Sequence, residues 1–255
     1  RFHRTQLKEL NDLIRPDLWW FDGDWSRQAD QWRMQEVREM LLEWNPQAIL
    51  NSRMSGYGDY ATPEQGIPIQ GPEGPWELCM TINDSWGYQV GDNNFKSVNY
   101  IIRTFSDCIG MGGNLLLDVG PKEDGTITPE QTAILKQLGR WTNKHSEAIY
   151  GTVKGLPPGH FYGPSTLSAD QTTLYCFVLD IPKDKLVIKG IRNKVKQVRL
   201  VGGKDKLAYE RNGGAAWHGI PGVLMIDLKP GQLDENVTVI AIDMEGPLDL
   251  YRGHG

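Results

Sequence analysis

Between residues 17 and 150 the chain alternates short apolar runs with longer stretches whose apolar residues recur every three or four positions. The runs are "LWWFD" (18–22), "AILN" (48–51), "WELCMT" (76–81) and "NLLLDVG" (114–120), each short enough for a buried strand. The helical stretches are "RMQEVREMLLEW" (33–44), "FKSVNYIIRTFSDCI" (95–109) and "TPEQTAILKQLGRWTNKH" (128–145). Ahead of them, Leu7, Leu10, Leu13 and Ile14 predict a further helix, which Pro16 stops. Thr128, Pro129 and Glu130 supply a capping oxygen, a first-turn proline and an early acid, and these fix where the last helix begins.

Strands separated by helices require crossover connections and therefore parallel pairing. Such sheets place their chemistry at the carboxyl ends of the strands, where Asp22, Asn51 and Asp118 fall. A complete eight-stranded α/β barrel takes about 250 residues, and this region supplies about half of one. After Tyr150 the texture changes to β-branched alternation punctuated by Gly, Pro, Asn and Asp: "TTLYCFVLD", "DKLVIKGI", "VKQVRLVG", "VLMIDLK" and "VTVIAIDM". Short strands with turn signals between them predict an antiparallel β-sandwich. The expected fold class is therefore α/β, with half of a (β/α)8-like barrel over residues 1–150 and a β-sandwich over 151–255.

A net charge of -5 offers no basic field for collecting phosphates, so neither nucleic acid nor an anionic membrane is an expected partner. No apolar run approaches the roughly 20 residues a membrane crossing needs. Cys79, Cys108 and Cys176 lie singly in apolar surroundings, as buried thiols do. Nine tryptophans are a richer signal, because flat rings suit a surface that is apolar on one side and hydroxylated at its rim.

"LWWFDGDW" (18–25) concentrates both features. Asp22 and Asp24 have three readings: a tight Asp-Gly turn, a D-x-D magnesium site, or one carboxylate of a glycosidase pair. A hydrated cation is poor company for Trp19, Trp20, Phe21 and Trp25, whereas the C–H face of a sugar suits them. The second carboxylate of a pair should come from a neighbouring strand end. The long Gly- and Pro-rich connection after "AILNSR" carries Glu64, Glu73 and Glu77.

The blocks "LWWFDGDW", "NSRMSGYGDYATPEQGIP", "WELCMTINDSWGY", "GGNLLLDVGPKEDGTITPEQTAILKQLGRW" and "EAIYGT" together resemble the α-L-fucosidases of glycoside hydrolase family 29. The resemblance runs in order from about residue 7 to 152 and continues more loosely through "LDENVTVIAIDMEGPLDL". It implies a retaining exo-glycosidase that removes terminal α-linked L-fucose through a covalent fucosyl-enzyme, on a barrel followed by a β-sandwich. It assigns the nucleophile to Asp22, the acid/base to Glu64 with Glu77 as second choice, and substrate contacts to Trp20, Arg53 and Trp86. Neither metal nor other cofactor is expected. The partner it implies is a fucosylated oligosaccharide, and the "TPEQ" segment looks closer to members preferring α-1,3 or α-1,4 linkages. Localisation is left open among secreted, periplasmic and lysosomal settings.

Family members also carry an N-terminal half of the barrel that contributes histidine contacts to the sugar. None of His3, His145, His160, His218 and His254 falls at a barrel strand end. The expectation is that this half belongs to the same precursor or to a separate chain. The alternative function is a non-catalytic fucose-binding protein on the same scaffold, against which stands the retention of both candidate acids.

Overall fold

The computed structural model describes residues 2–253, so His254 lies outside the described residues. The chain forms two compact units that divide between Cys79 and Met80. In the first, α1 (Phe2–Ile14) is followed by β1 (Leu18–Trp19), α2 (Ala29–Trp32), α3 (Met34–Trp44) and β2 (Ile49–Leu50), and β3 (Glu77–Thr81) runs across the division. β1 and β2 pair in parallel, Leu18 with Ile49 and Trp19 with Leu50, and the intervening helices form the crossover that parallel pairing demands. Met34, Val37 and Leu41 share one face of α3 and pack with Leu7, Trp19, Ala48, Leu50 and Met54. Leu41 is fully buried there, so Leu41→Ala should lower unfolding stability by about 2–5 kcal/mol in a denaturant titration.

The expected runs 18–22 and 48–51 shrink to two-residue strands because a side chain takes over from the ladder. Asn51 Oδ1 accepts from Phe21 N (2.9 Å), and Asn51 Nδ2 donates to Phe21 O (2.8 Å). The fully buried Asn51 thus satisfies the backbone immediately before Asp22 in place of a further pair of ladder bonds.

The connection after β2 departs from the sequence reading more strongly. Residues 60–64 run as an extended ribbon that joins β2 on one side and the start of β3 on the other. Asp59 N donates to Leu50 O (2.7 Å), Ala61 N to Pro75 O (3.0 Å), Glu77 N to Ala61 O (2.9 Å), Cys79 N to Pro63 O (2.9 Å) and Gln65 N to Cys79 O (2.8 Å). The Asp59 carboxylate accepts from Leu50 N and from Arg38, fixing the ribbon's entry. Gly58 makes that approach feasible, since a Cβ there would lie 2.2 Å from Asn51 O.

In the second unit Ser97 caps α4 (Val98–Gly110) and Thr128 caps α5 (Pro129–Lys144) through hydrogen bonds to backbone N–H groups, with β4 (Asn114–Asp118) between the helices. Ile82 N donates to Asp118 O, which lays the exit of β3 beside the end of β4. Eight strands follow: β5 (Thr152–Lys154), β6 (Ser165–Ser168), β7 (Thr173–Val178), β8 (Leu186–Lys189), β9 (Val195–Leu200), β10 (Tyr209–Asn212), β11 (Val223–Ile226) and β12 (Thr238–Met244). They form a five-stranded sheet, β5-β6-β7-β12-β9, and a three-stranded one, β10-β11-β8, with antiparallel pairing. Leu174, Val198 and Ile240 from the first share a core with Ile188, Leu224 and Ile226 from the second, the two-layer packing the alternation predicts. Trp141 of α5 donates its indole N–H to Val237 O (2.8 Å), tying the helix to the strand entering β12.

All three cysteines are free and buried, and burial pushes the Cys108 thiol up to about 12. Among the described residues no helix is long and apolar enough to cross a membrane.

Candidate active site

Asp22 lies just beyond the end of β1, where Gly23 (φ 81°) turns the chain into a short 3-10 segment, Asp24–Ser26. The Asp-Gly turn is therefore present. Arg53 meets it from the segment after β2: Nη1 donates to Asp22 Oδ1 (2.7 Å) and Nη2 to Glu64 Oε2 (2.6 Å). The Arg53 side chain is only 14% exposed, while those of Asp22 and Glu64 are 60% and 41% exposed. A largely covered guanidinium thus holds two carboxylates whose other edges remain open. Burial works against the Arg53 charge, but the hydrogen bonds to Glu64 and Asp22 outweigh it and hold the group above its ordinary value. Its planar head lies 4.8 Å from the Trp20 ring centre and 6.0 Å from that of Trp25, so two of the clustered tryptophans serve the cation.

Glu77, at the start of β3, is half-buried. That burial raises its pKa, and a hydrogen bond to the Trp20 side chain opposes the rise without cancelling it. Trp20 consequently links all three acids, bonding Glu77 while its ring faces the arginine that holds Asp22 and Glu64. Tyr60, on the ribbon, is held higher still: burial first, then the charges of Glu77 and Cys79, push its phenol up to about 12. Its buried hydroxyl has no hydrogen-bond partner among the described residues.

Asp24 faces a different neighbour. Its Oδ2 accepts from Ser55 N (2.8 Å) and Ser55 Oγ (3.0 Å). The two aspartates of the D-x-D segment are therefore engaged separately, one by a guanidinium and one by a turn. Trp86 belongs to the second unit and is 41% exposed there. His3 lies edge-on to Phe21 and Trp32, and His145 is buried against Trp141 with burial lowering its pKa. Glu73 forms no ion pair among the described residues.

Sequence reasoning named Asn51 only as a polar strand end and passed over Tyr60 and Ser55. An Asn closing an apolar run beside a second strand end is a signal for the first. Nothing in the residue types announces the other two.

The arrangement offers an exposed carboxylate beside a fixed cation, a second carboxylate on that same cation, and a third acid biased toward its protonated form by burial. Two or three such acids beside aromatic rings match the needs of acid/base-assisted glycosyl transfer. The sequence profile of the α-L-fucosidases matches residues 1–147. The chain is 28% identical to an α-L-fucosidase of Dictyostelium discoideum over 222 residues, 80% of this chain and 48% of that one. It is 32% identical to the tissue α-L-fucosidase of Rattus norvegicus, over 57% of this chain and 35% of that one. The solved structure of α-L-fucosidase isoenzyme 1 from Paenibacillus thiaminolyticus superposes with a TM-score of 0.85 at 27% identity, covering 96% of this chain and 62% of that one. The chain thus spans about half the length, or less, of these curated relatives.

Proposed function

Because the chain belongs to the α-L-fucosidase family, we propose that it carries the catalytic residues of a retaining exo-α-L-fucosidase, which hydrolyses terminal α-linked fucose through a covalent intermediate. Asp22 is the nucleophile: its carboxylate attacks the anomeric carbon as the glycosidic bond breaks. Glu64 is the acid/base, first giving its proton to the leaving oxygen and then taking one from the water that releases fucose. The observation that carries this reading is the Arg53 guanidinium bonded to both Asp22 and Glu64. The outer nitrogens of a guanidinium are a fixed short distance apart, so one cation reaches both acids only when they stand close. Retention uses carboxyl groups about 5–5.5 Å apart and inversion roughly 6.5–9.5 Å, and of the two it is retention that the resemblance to the family implies for this pair. Trp20 is a sugar contact on this reading.

A second reading exchanges Glu64 for Glu77, and one observation favours it: a general acid must begin protonated, and burial biases Glu77 that way. Glu64→Ala and Glu77→Ala separate the two. The variant lacking the acid/base should lose about 10²- to 10⁴-fold on a natural linkage, keep appreciable rate on an activated aryl fucoside, and gain rate with azide. If neither variant behaves so, the proton donor lies elsewhere.

A purely fucose-binding role gains no support, since the relatives that match are named as fucosidases. The complete enzyme adds a further part of the barrel, on the same precursor or a separate chain, because the matched stretches cover only 48% and 35% of these two relatives. Its substrate is a fucosylated oligosaccharide, with α-1,3 or α-1,4 linkages preferred.

A further inference from the structure

We propose that Asp24 is a positioning residue that sets the reach of Arg53 by holding Ser55 in a left-handed conformation; the inference rests on the catalytic reading given above. Arg53 projects from a three-residue stretch whose other members are both restrained. Met54, next in the chain, is fully buried in the core of the first unit. Ser55 has φ 49°, a conformation that residues other than glycine rarely adopt, and the chain leaves it through Gly56 at φ 95°. Such a backbone persists only where its surroundings over-determine it. The surroundings here include one carboxylate oxygen, Asp24 Oδ2, which takes both the Ser55 N–H and the Ser55 hydroxyl.

Asp24 is itself well placed to act as an anchor. It opens the 3-10 segment that follows Gly23, and that segment is fixed by Ser26 N and Ser26 Oγ donating to Gly23 O and by Trp32 Nε1 donating to Asp24 O. The turn after β1 therefore reaches across to the turn after β2 and fixes the backbone from which the guanidinium extends. The two aspartates of "DGD" divide the labour: Asp22 receives the guanidinium, and Asp24 holds the peptide two residues beyond its origin. Charge on Asp24 is not what this role needs. One acceptor atom suffices, which separates positioning from a cation-binding or acid role.

The test is kinetic, in the complete enzyme, with an aryl fucoside as substrate. Asp24→Ala should lower kcat by about 10- to 100-fold, the scale of a small misplacement of a catalytic contact. Asp24→Asn keeps an oxygen for Ser55 and should stay within about 3-fold of the parent, since a neutral acceptor replaces a charged one at the same place. In a double-mutant cycle with Arg53→Ala, adding Asp24→Ala should cost less than about 2-fold more, because the group it positions is already gone. Losses that multiply in the cycle would overturn the proposal, as would Asp24→Asn failing as badly as Asp24→Ala, or an Asp24→Ala enzyme of parental rate. A variant that does not fold is replaced in the cycle by Ser55→Ala, which removes the hydroxyl bond alone and should show the same non-additivity at smaller size. Asp22→Ala run beside these keeps the two readings apart: activity surviving that change sinks the catalytic assignment, whereas its loss together with an additive cycle sinks only the role of Asp24.

Discussion

Asp22→Ala should reduce hydrolysis of an aryl fucoside on the order of 10⁴-fold or more, the scale seen when a group that makes the covalent bond is removed. Fold stability should change little, because the Asp22 side chain is 60% exposed and its bond is to a single partner. The sign of the chemistry is checked by azide. With the attacking oxygen gone, a small anion can enter the vacated face of the sugar and the product should be the fucosyl azide of inverted configuration. Recovery of activity without azide, or an azide product of retained configuration, would show that another group attacks the anomeric carbon.

The second large effect is expected at Arg53. Its replacement by alanine removes the cation bonded to both Asp22 and Glu64, and leaves two acids confronting each other beside the Trp20 and Trp25 rings. The loss in kcat/KM should be about 10²- to 10³-fold, comparable with removal of a fixed electrostatic contact at a reacting centre. Arg53→Lys should recover little of it. An ammonium is a single point charge on a flexible stem and cannot present two fixed donors to two carboxylates, nor lie flat against an indole. A lysine variant close to the parent in rate would mean that charge alone, and not the fork, matters.

Much of the local structure is legible in the sequence. The period of apolar residues in 33–44 and 128–145 gives α3 and α5 nearly to the residue, because amphipathic spacing and caps are local properties. The change to β-branched alternation after Tyr150 likewise gives the two antiparallel sheets. Asp22 stands out in the sequence because an aromatic run ending in a carboxylate is unusual in itself, and its carboxylate accepts from Arg53. The ribbon at 60–64 does not: the Gly and Pro content around it reads as a loop, and its extended pairing exists only because β2 and β3 offer it two edges. Long-range pairing of this kind leaves no periodic trace. The division at Cys79 and Met80, inside a strand, has no compositional mark either. The Asp24–Ser55 contact escaped for a related reason, as it joins residues 31 apart through a backbone conformation that serine seldom takes.

The ribbon also bears on how such a chain can change over time. Parallel bridges pin it at Asn51 with Tyr60, at Ala61 with Trp76 and at Glu64 with Cys79, so both glutamates ride on anchored backbone while residues 66–74 between them form no such bridge among the described residues. Ile69 stands fully exposed in that span. Under the proposed function, insertions, deletions and exchanges there would leave the acids where they are, so descendants of one ancestor could diverge in the glycans they select while inheriting the same bond-breaking apparatus.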